Sequence, residues 1–398
     1  MAPLALSHYL DTCATTPLAP EAAAAMAEVQ ALAWANPSSL HRFGLAAAEQ
    51  LERSRQGLME LLGGTQHQLV FTSGGTEAIH LALLGAAPGL ESGLASSAAP
   101  RLLISAVEHP ATRAAAAALQ RRGWQLQELP VNAQGALDLD ALEQCLVPPT
   151  QMVSLIWGQS EVGTLQPLQA IAERCRRAGV LLHVDAVQVV GHQPIAMADL
   201  PVDLLSLASH KLQGPRGVGA LLVRDGLALE PCLAGGGQEA GLRAGTEPVV
   251  LIAGFEAALR QCQLRLERHG GLDPLAGLRD ALLCRLLQAP GVELSGPDPR
   301  DAAHPGRLPH HLSLLVRSAD GGWLNGRRLV QALGREGFAC SSGSACSSSG
   351  SAASTVLLAM GYSPEAAAAG LRISLGPWHG EALLDQFPAA LDRARAAL

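Results

Sequence analysis

Of the 28 lysines and arginines in this chain, only residue 211 is a lysine. A guanidinium stays charged in proteins, so arginine serves on a surface but cannot lose a proton and attack a carbonyl. A lone lysine therefore points to an amine kept for covalent chemistry, most often a Schiff base. Lys211 lies in Ser209-His210-Lys211-Leu212-Gln213-Gly214-Pro215, a turn that follows an apolar run. Asp185 closes an earlier apolar run, Leu181-Leu182-His183-Val184-Asp185. A carboxylate buried at a strand end needs a cationic partner. The protonated pyridine nitrogen of pyridoxal 5′-phosphate would meet that need beside a Schiff-base lysine. Read alone, Asp185 could equally cap a helix.

Three further places carry reactive or binding groups. Phe71-Thr72-Ser73-Gly74-Gly75-Thr76-Glu77 passes from a strand through glycines into a helix, presenting backbone N–H groups and a hydroxyl to a phosphate. His109 follows another strand and could stack on an aromatic cofactor, although a single histidine is often incidental. Cys346 sits in Cys340-Ser341-Ser342-Gly343-Ser344-Ala345-Cys346-Ser347, too small and polar to form a core. A mobile surface loop is expected there, with Cys346 as an exposed thiol and Cys340 packed. Arg372, within Leu371-Arg372-Ile373-Ser374-Leu375, suits two-pronged capture of a carboxylate if its side chain points inward. Otherwise it is an ordinary edge-strand arginine.

These residues need a frame that holds strand ends together. Runs at 68–72, 101–105, 152–156, 181–185, 204–207 and 219–223 read as strands, alternating with helical stretches at 76–84, 112–122 and 168–178. Such alternation predicts an α/β domain around a mostly parallel sheet, with ligands at the carboxyl ends of the strands. From about residue 254 the texture changes, giving a long helix and then strands near 311–316 and 372–375. The expected organisation is a large α/β domain over 15–255 and a smaller α+β domain over 1–14 and 256–398.

Composition narrows the function class. The formal net charge is −7, with no basic stripe, so nucleic acid is not an expected partner. No apolar run approaches the roughly 18 residues of a membrane span, and no signal peptide is evident. Eight scattered cysteines without CxxC pairs argue against disulfides and metal, and for reduced thiols in the cytoplasm.

Taken in order, the motifs resemble the cysteine desulfurases of the NifS/IscS type, class V, fold-type I enzymes. The resemblance spans nearly the whole chain. It includes Tyr9-Leu10-Asp11, Asn36-Pro37-Ser38, Thr72-Ser73-Gly74, Glu108-His109, His183-Val184-Asp185-Ala186 with Gln188, and His210-Lys211. It continues through Gly235-Gly236-Gly237-Gln238-Glu239, Arg243-Ala244-Gly245-Thr246, Ser344-Ala345-Cys346 and Arg372-Ile373-Ser374. It implies a seven-stranded-type sheet, pyridoxal 5′-phosphate on Lys211, and Asp185 on the pyridine nitrogen. Gln188 is expected on the phenolic oxygen, His109 against the ring, and Gly75, Thr76, Ser209 and His210 at the phosphate. Thr246 would reach the phosphate of the other subunit of a homodimer. Asn36 and Arg372 would bind L-cysteine, Cys346 would take its sulfur as a persulfide, and alanine would leave. The sulfur would pass to an acceptor such as an iron–sulfur scaffold protein.

Three positions depart from the family pattern. Gln159-Ser160-Glu161 stands where Asn-Asn-Glu is usual, so the asparagine that contacts cofactor and substrate is missing, and Gln159 or Ser160 could take its place. Ala208 replaces a phosphate-binding serine, and Ala240 an arginine. The readings that compete are a class V C–S lyase without a protein persulfide, and a weakly active scaffold or regulator of a sulfur-transfer complex.

Overall fold

The computed structural model describes residues 5–64, 66–92, 99–301, 306–343 and 353–398. Among the described residues, ten strands make two sheets. The larger contains β1 (His67–Thr72), β2 (Arg101–Ser105), β3 (Gln125–Leu129), β4 (Thr150–Ile156), β5 (Leu181–Asp185), β6 (Leu204–Ala208) and β7 (Gly219–Arg224). Their order is β1-β7-β6-β5-β4-β2-β3. Only β7 runs against its neighbours; the other pairs are parallel.

Successive strand side chains point to opposite faces, so a sheet covered on both sides needs strands apolar at every position. That is how the six runs are built. Leu69, Phe71, Val153, Leu155, Leu182, Val184, Leu205 and Leu207 enter one core with helices Pro20–Leu32, Arg42–Leu62 and Val249–Arg268. Val70, Leu102, Ile104, Met152, Leu181 and Leu204 enter the other, beneath helices Gly75–Ser92 and Pro110–Arg121. β3, at the sheet edge, is Gln-Leu-Gln-Glu-Leu and partly solvated. It lacks the apolar signature that exposes its neighbours to sequence reading.

The smaller sheet is antiparallel, in the order β10-β9-β8: β8 is Val292–Leu294, β9 His311–Val316 and β10 Gly370–Ser374. It has its own core of Leu282, Leu312, Leu314, Ile373 and Phe387. Residues 9–13 run beside it: Leu10 N–H donates to Ala339 O at 2.8 Å, and Leu10 O accepts from Ser374 N–H at 2.9 Å. The expected boundary at 255/256 falls inside helix Val249–Arg268. That helix keeps its apolar face on the large-sheet core as far as Cys262.

His183 braces the centre of the large sheet. Its ring nitrogens lie 2.8 Å from Ser154 Oγ on β4 and 2.8 Å from Ser206 Oγ on β6. Burial alone lowers its pKa to about 3. The unfolded chain takes up a proton near pH 6.5 that the folded ring refuses. His183 therefore costs no stability above about pH 6.5, and costs about 1.4 kcal/mol per unit as pH falls from there toward 3. In His183→Asn, stability measured by denaturant titration should fall less steeply with acid. An unchanged slope would show that His183 is not the group responsible.

Candidate active site

The carboxyl ends of β1, β2, β4, β5 and β6 surround one cavity of about 370 Å³. It brings together ten of the residues singled out above: Lys211, Asp185, Gln188, His109, Gly75, Thr76, His210, Gln159, Ser160 and Arg372. Three others lie elsewhere. Asn36 is exposed, and its side chain accepts from Ser38 N–H at 2.9 Å. Thr246 is exposed on the surface. Ser209 is fully buried and does not line the cavity. In the short turn Ser209–Lys211 it points inward, where a β-carbon on Gly214 would be 2.0 Å from its Oγ. Ala208 and His210, on either side of it, line the cavity instead. Cys346 lies outside the described residues.

Local structure explains how each side chain is aimed. Asp185 ends β5, and its Oδ1 accepts from Val187 N–H at 3.0 Å. Burial raises its pKa to about 6, against the opposing pull of that N–H and of the Lys211 charge. The Lys211 ammonium donates to Cys13 O at 2.5 Å and Ala14 O at 2.8 Å. Gln188 Nε2 donates to the same Cys13 carbonyl at 3.0 Å. His109 caps helix Pro110–Arg121, its Nδ1 accepting from Ala111 N–H at 3.1 Å, with proline at the first helical position. Burial, and then Lys211, lower its pKa and favour the neutral ring. His210 is likewise depressed, to about 4, by burial and then by Lys211 and Arg216. Gly75 opens helix Gly75–Ser92; a β-carbon there would stand 2.8 Å from Val187 Cγ2.

Arg372 sits on β10, 5 % exposed. Its Nη2 donates to Asp11 Oδ1 at 2.7 Å and its Nη1 to Ser160 O at 3.1 Å, while Nε–H has no acceptor among the described residues. The Gln159 side chain is committed to its own turn. Its Oε1 accepts from Glu161 N–H at 2.5 Å and Val162 N–H at 3.1 Å, and its Nε2 donates to Val107 O at 3.1 Å.

Cys13, Glu108 and Glu161 also line the cavity, without a role assigned from sequence. Cys13 supplies the carbonyl described above. Glu108 is buried with Oε2 unpartnered; burial raises its pKa to about 8, against hydrogen bonds from Ser105 and Ile156. Glu161 accepts from Ser354 Oγ at 2.6 Å, and its pKa is raised by burial. Glu108 and Glu161 lie within stretches that carry the resemblance or its departures, but residue type alone did not mark them for the cavity. Among the described residues, no cluster of three or more His, Cys, Asp or Glu side chains is arranged to hold a metal ion. None of the described helices is long and apolar enough to cross a membrane.

The chain belongs to the family described as aminotransferase class-V, whose profile matches residues 8–387. Within that family its similarity is to the cysteine desulfurases. It is 39% identical to a cysteine desulfurase of Cereibacter sphaeroides over 98% of this chain and 96% of that one. It is 35% identical to the cysteine desulfurase IscS of Dictyoglomus turgidum, covering 92% and 89% of the two chains. A solved structure titled NIFS-LIKE PROTEIN superposes with a TM-score of 0.87 at 28% identity, covering 99% of this chain and 100% of that one. The expected fold class and family are thereby shown.

Proposed function

We propose that this chain binds pyridoxal 5′-phosphate and moves the sulfur of L-cysteine onto Cys346, releasing L-alanine. The observation that carries this reading is the meeting of the single lysine, a buried aspartate and a buried arginine in one cavity. The residues present fit the cofactor. Asp185 is a buried carboxylate suited to a pyridinium N–H, His109 a neutral ring at the cavity wall, and Gly75, Thr76 and His210 polar or open positions suited to a phosphate. When bound, the cofactor supplies an electron sink at the substrate's α-carbon. Lys211 would anchor it and carry protons at Nζ, and Gln188 would face its phenolic oxygen. Arg372 holds the substrate carboxylate through N–H groups not committed to Asp11 and Ser160. The Cys346 thiolate then forms a bond to the substrate sulfur as the carbon–sulfur bond breaks, and the electron pair left on carbon takes up a proton to give alanine.

The second subunit enters through an exposed apolar surface. Leu32, Trp34, Leu40, Phe43 and Leu45 are all exposed, Leu40 at 90 %. The Trp34 and Phe43 rings lie 6.2 Å apart, centroid to centroid, and exposed apolar surface of that kind marks an interaction site. Ser38, within this segment, shares a surface groove with Gln238, which in turn accepts from the backbone of Gly245, beside Thr246. A copy of the same chain covering this face would receive Thr246 at its edge. The released sulfur would pass to an acceptor protein such as an iron–sulfur scaffold.

Borohydride reduction of the purified protein should fix the cofactor on the peptide holding Lys211, and Lys211→Ala should carry no fixed label. A label on any peptide lacking residue 211 would remove the assignment. In sedimentation the protein should run at twice the chain's 41.1 kDa. A strict monomer would rule out the role given to Thr246.

A further inference from the structure

Ser160 stands in a turn between two basic side chains. Its carbonyl oxygen accepts from Arg372 Nη1 at 3.1 Å on the cavity side, and His311 Nε2 lies 3.1 Å from the same oxygen on the other. A carbonyl can only accept, so the His311 proton must sit on Nε2. The opposite nitrogen, Nδ1, lies 3.5 Å from Arg307 Nη1, and a guanidinium can only donate. Both neighbours therefore demand the same tautomer. His311 and Arg307 are buried, and burial followed by the Arg307 and Arg372 charges drives the His311 pKa well below its usual value. Arg307 is itself fixed, donating through Nε to Pro297 O at 2.8 Å and through Nη2 to Ser295 O at 2.5 Å.

The backbone makes room for this arrangement. Gly163 has φ +78°, and a β-carbon there would stand 2.6 Å from His311 Nδ1 and 3.1 Å from Arg307 Nη1. Its N–H donates to Gln159 O at 2.8 Å and its carbonyl accepts from Leu308 N–H at 2.7 Å. The turn carrying Ser160 is thus held between β10, which bears Arg372, and β9, which begins at His311.

We propose that His311, set in its tautomer by Arg307, is a positioning residue for Arg372 through the Ser160 carbonyl. It thereby sharpens recognition of the substrate's carboxylate. This rests on the reading that Arg372 takes that carboxylate. With Ser160 O fixed by His311, and Asp11 on the other arm, the guanidinium plane has one orientation. Its unpartnered Nε–H then has a defined direction for a planar, two-oxygen ligand. The departure at Gln159-Ser160 follows from this: the position acts through a backbone carbonyl, so its side chain is not required to be an amide.

The test compares L-cysteine with cysteamine, which has the same thiol and amine but no carboxylate. Equilibrium binding to the holoenzyme is measured by calorimetry in a Cys346→Ala background, where L-cysteine binds without being turned over. That parent protein should favour L-cysteine. His311→Phe, which keeps a ring but neither nitrogen, should narrow that preference about 5-fold, the ordinary net worth of one hydrogen bond. His311→Gln places an amide N–H near the Nε2 position and should restore the preference; His311→Asn, which reaches only as far as Nδ1, should not. Arg307→Gln, which removes the cation that fixes the tautomer, should narrow the preference independently if His311→Phe does not fold. A parent preference kept intact in both His311→Phe and Arg307→Gln overturns the proposal alone. A parent protein with no preference overturns it together with the role of Arg372. A purely structural His311 would lower thermal stability without changing the ratio.

Discussion

Cys346→Ala should bind its cofactor and L-cysteine normally, yet yield almost no alanine and no enzyme-bound sulfur. The reason is chemical: without a thiolate to receive it, the substrate's sulfur has no acceptor on the enzyme. Only the thiolate is nucleophilic, and a free cysteine with a pKa near ~8.5 is mostly protonated at neutral pH. Native activity should therefore rise toward mildly alkaline pH. Cys340→Ala is the control. Cys340 is 9 % exposed, sits in the core of the smaller sheet, and has its thiol pKa raised by burial and then by Asp11. It should keep most of its activity. The measurement is alanine and protein persulfide from the same samples. Native turnover in Cys346→Ala would make the protein a simple lyase.

Arg372→Lys should lower apparent cysteine affinity by about 10- to 150-fold. Lysine keeps the charge but loses the planar fork, and hydrogen bonds to charged groups are worth roughly 1.5–3 kcal/mol. The same guanidinium joins Asp11 and the Ser160 carbonyl, so the substitution removes those contacts as well. Equilibrium titration checks it. Unchanged affinity would place the carboxylate elsewhere in the cavity.

The large sheet was legible because its central strands are buried on both faces and must be apolar throughout; β3, half in water, was not. Lys211 was legible because covalent amine chemistry admits no arginine, and Asp185 because a charge at the end of an apolar strand needs a reason. The share of the site made by main-chain carbonyls was not legible, because any residue type supplies one. Cys13, Ala14 and Ser160 serve through their backbones, so their side chains carry no signal. Gln159 and Ser160 read as alternatives for a missing side chain, and the geometry gives them different work: one closes a turn, the other offers an oxygen to Arg372. Ser209 shows the limit of reading a one-residue offset as a replacement, since in a tight turn adjacent side chains point to different sides. Exposure does not by itself single out a reactive cysteine either, because Cys232 and Cys284 are exposed.

The segment at residues 9–14 sets an order of events during synthesis. Its partners lie at the far end of the chain: Cys13 N–H bonds Ser374 Oγ and Thr12 Oγ1 bonds Leu375 O, across 361 and 363 residues. The ribosome makes the amino-terminal part first, and contacts across so long a loop form late. A nascent chain can close the large sheet once β7 has emerged. Thr12 and Cys13, beside the carbonyls that receive the lysine ammonium, gain these bonds only when β10 and Leu375 have been made. Residues 9–14 thus wait for residues 374 and 375, and no product truncated before β10 carries a finished pocket.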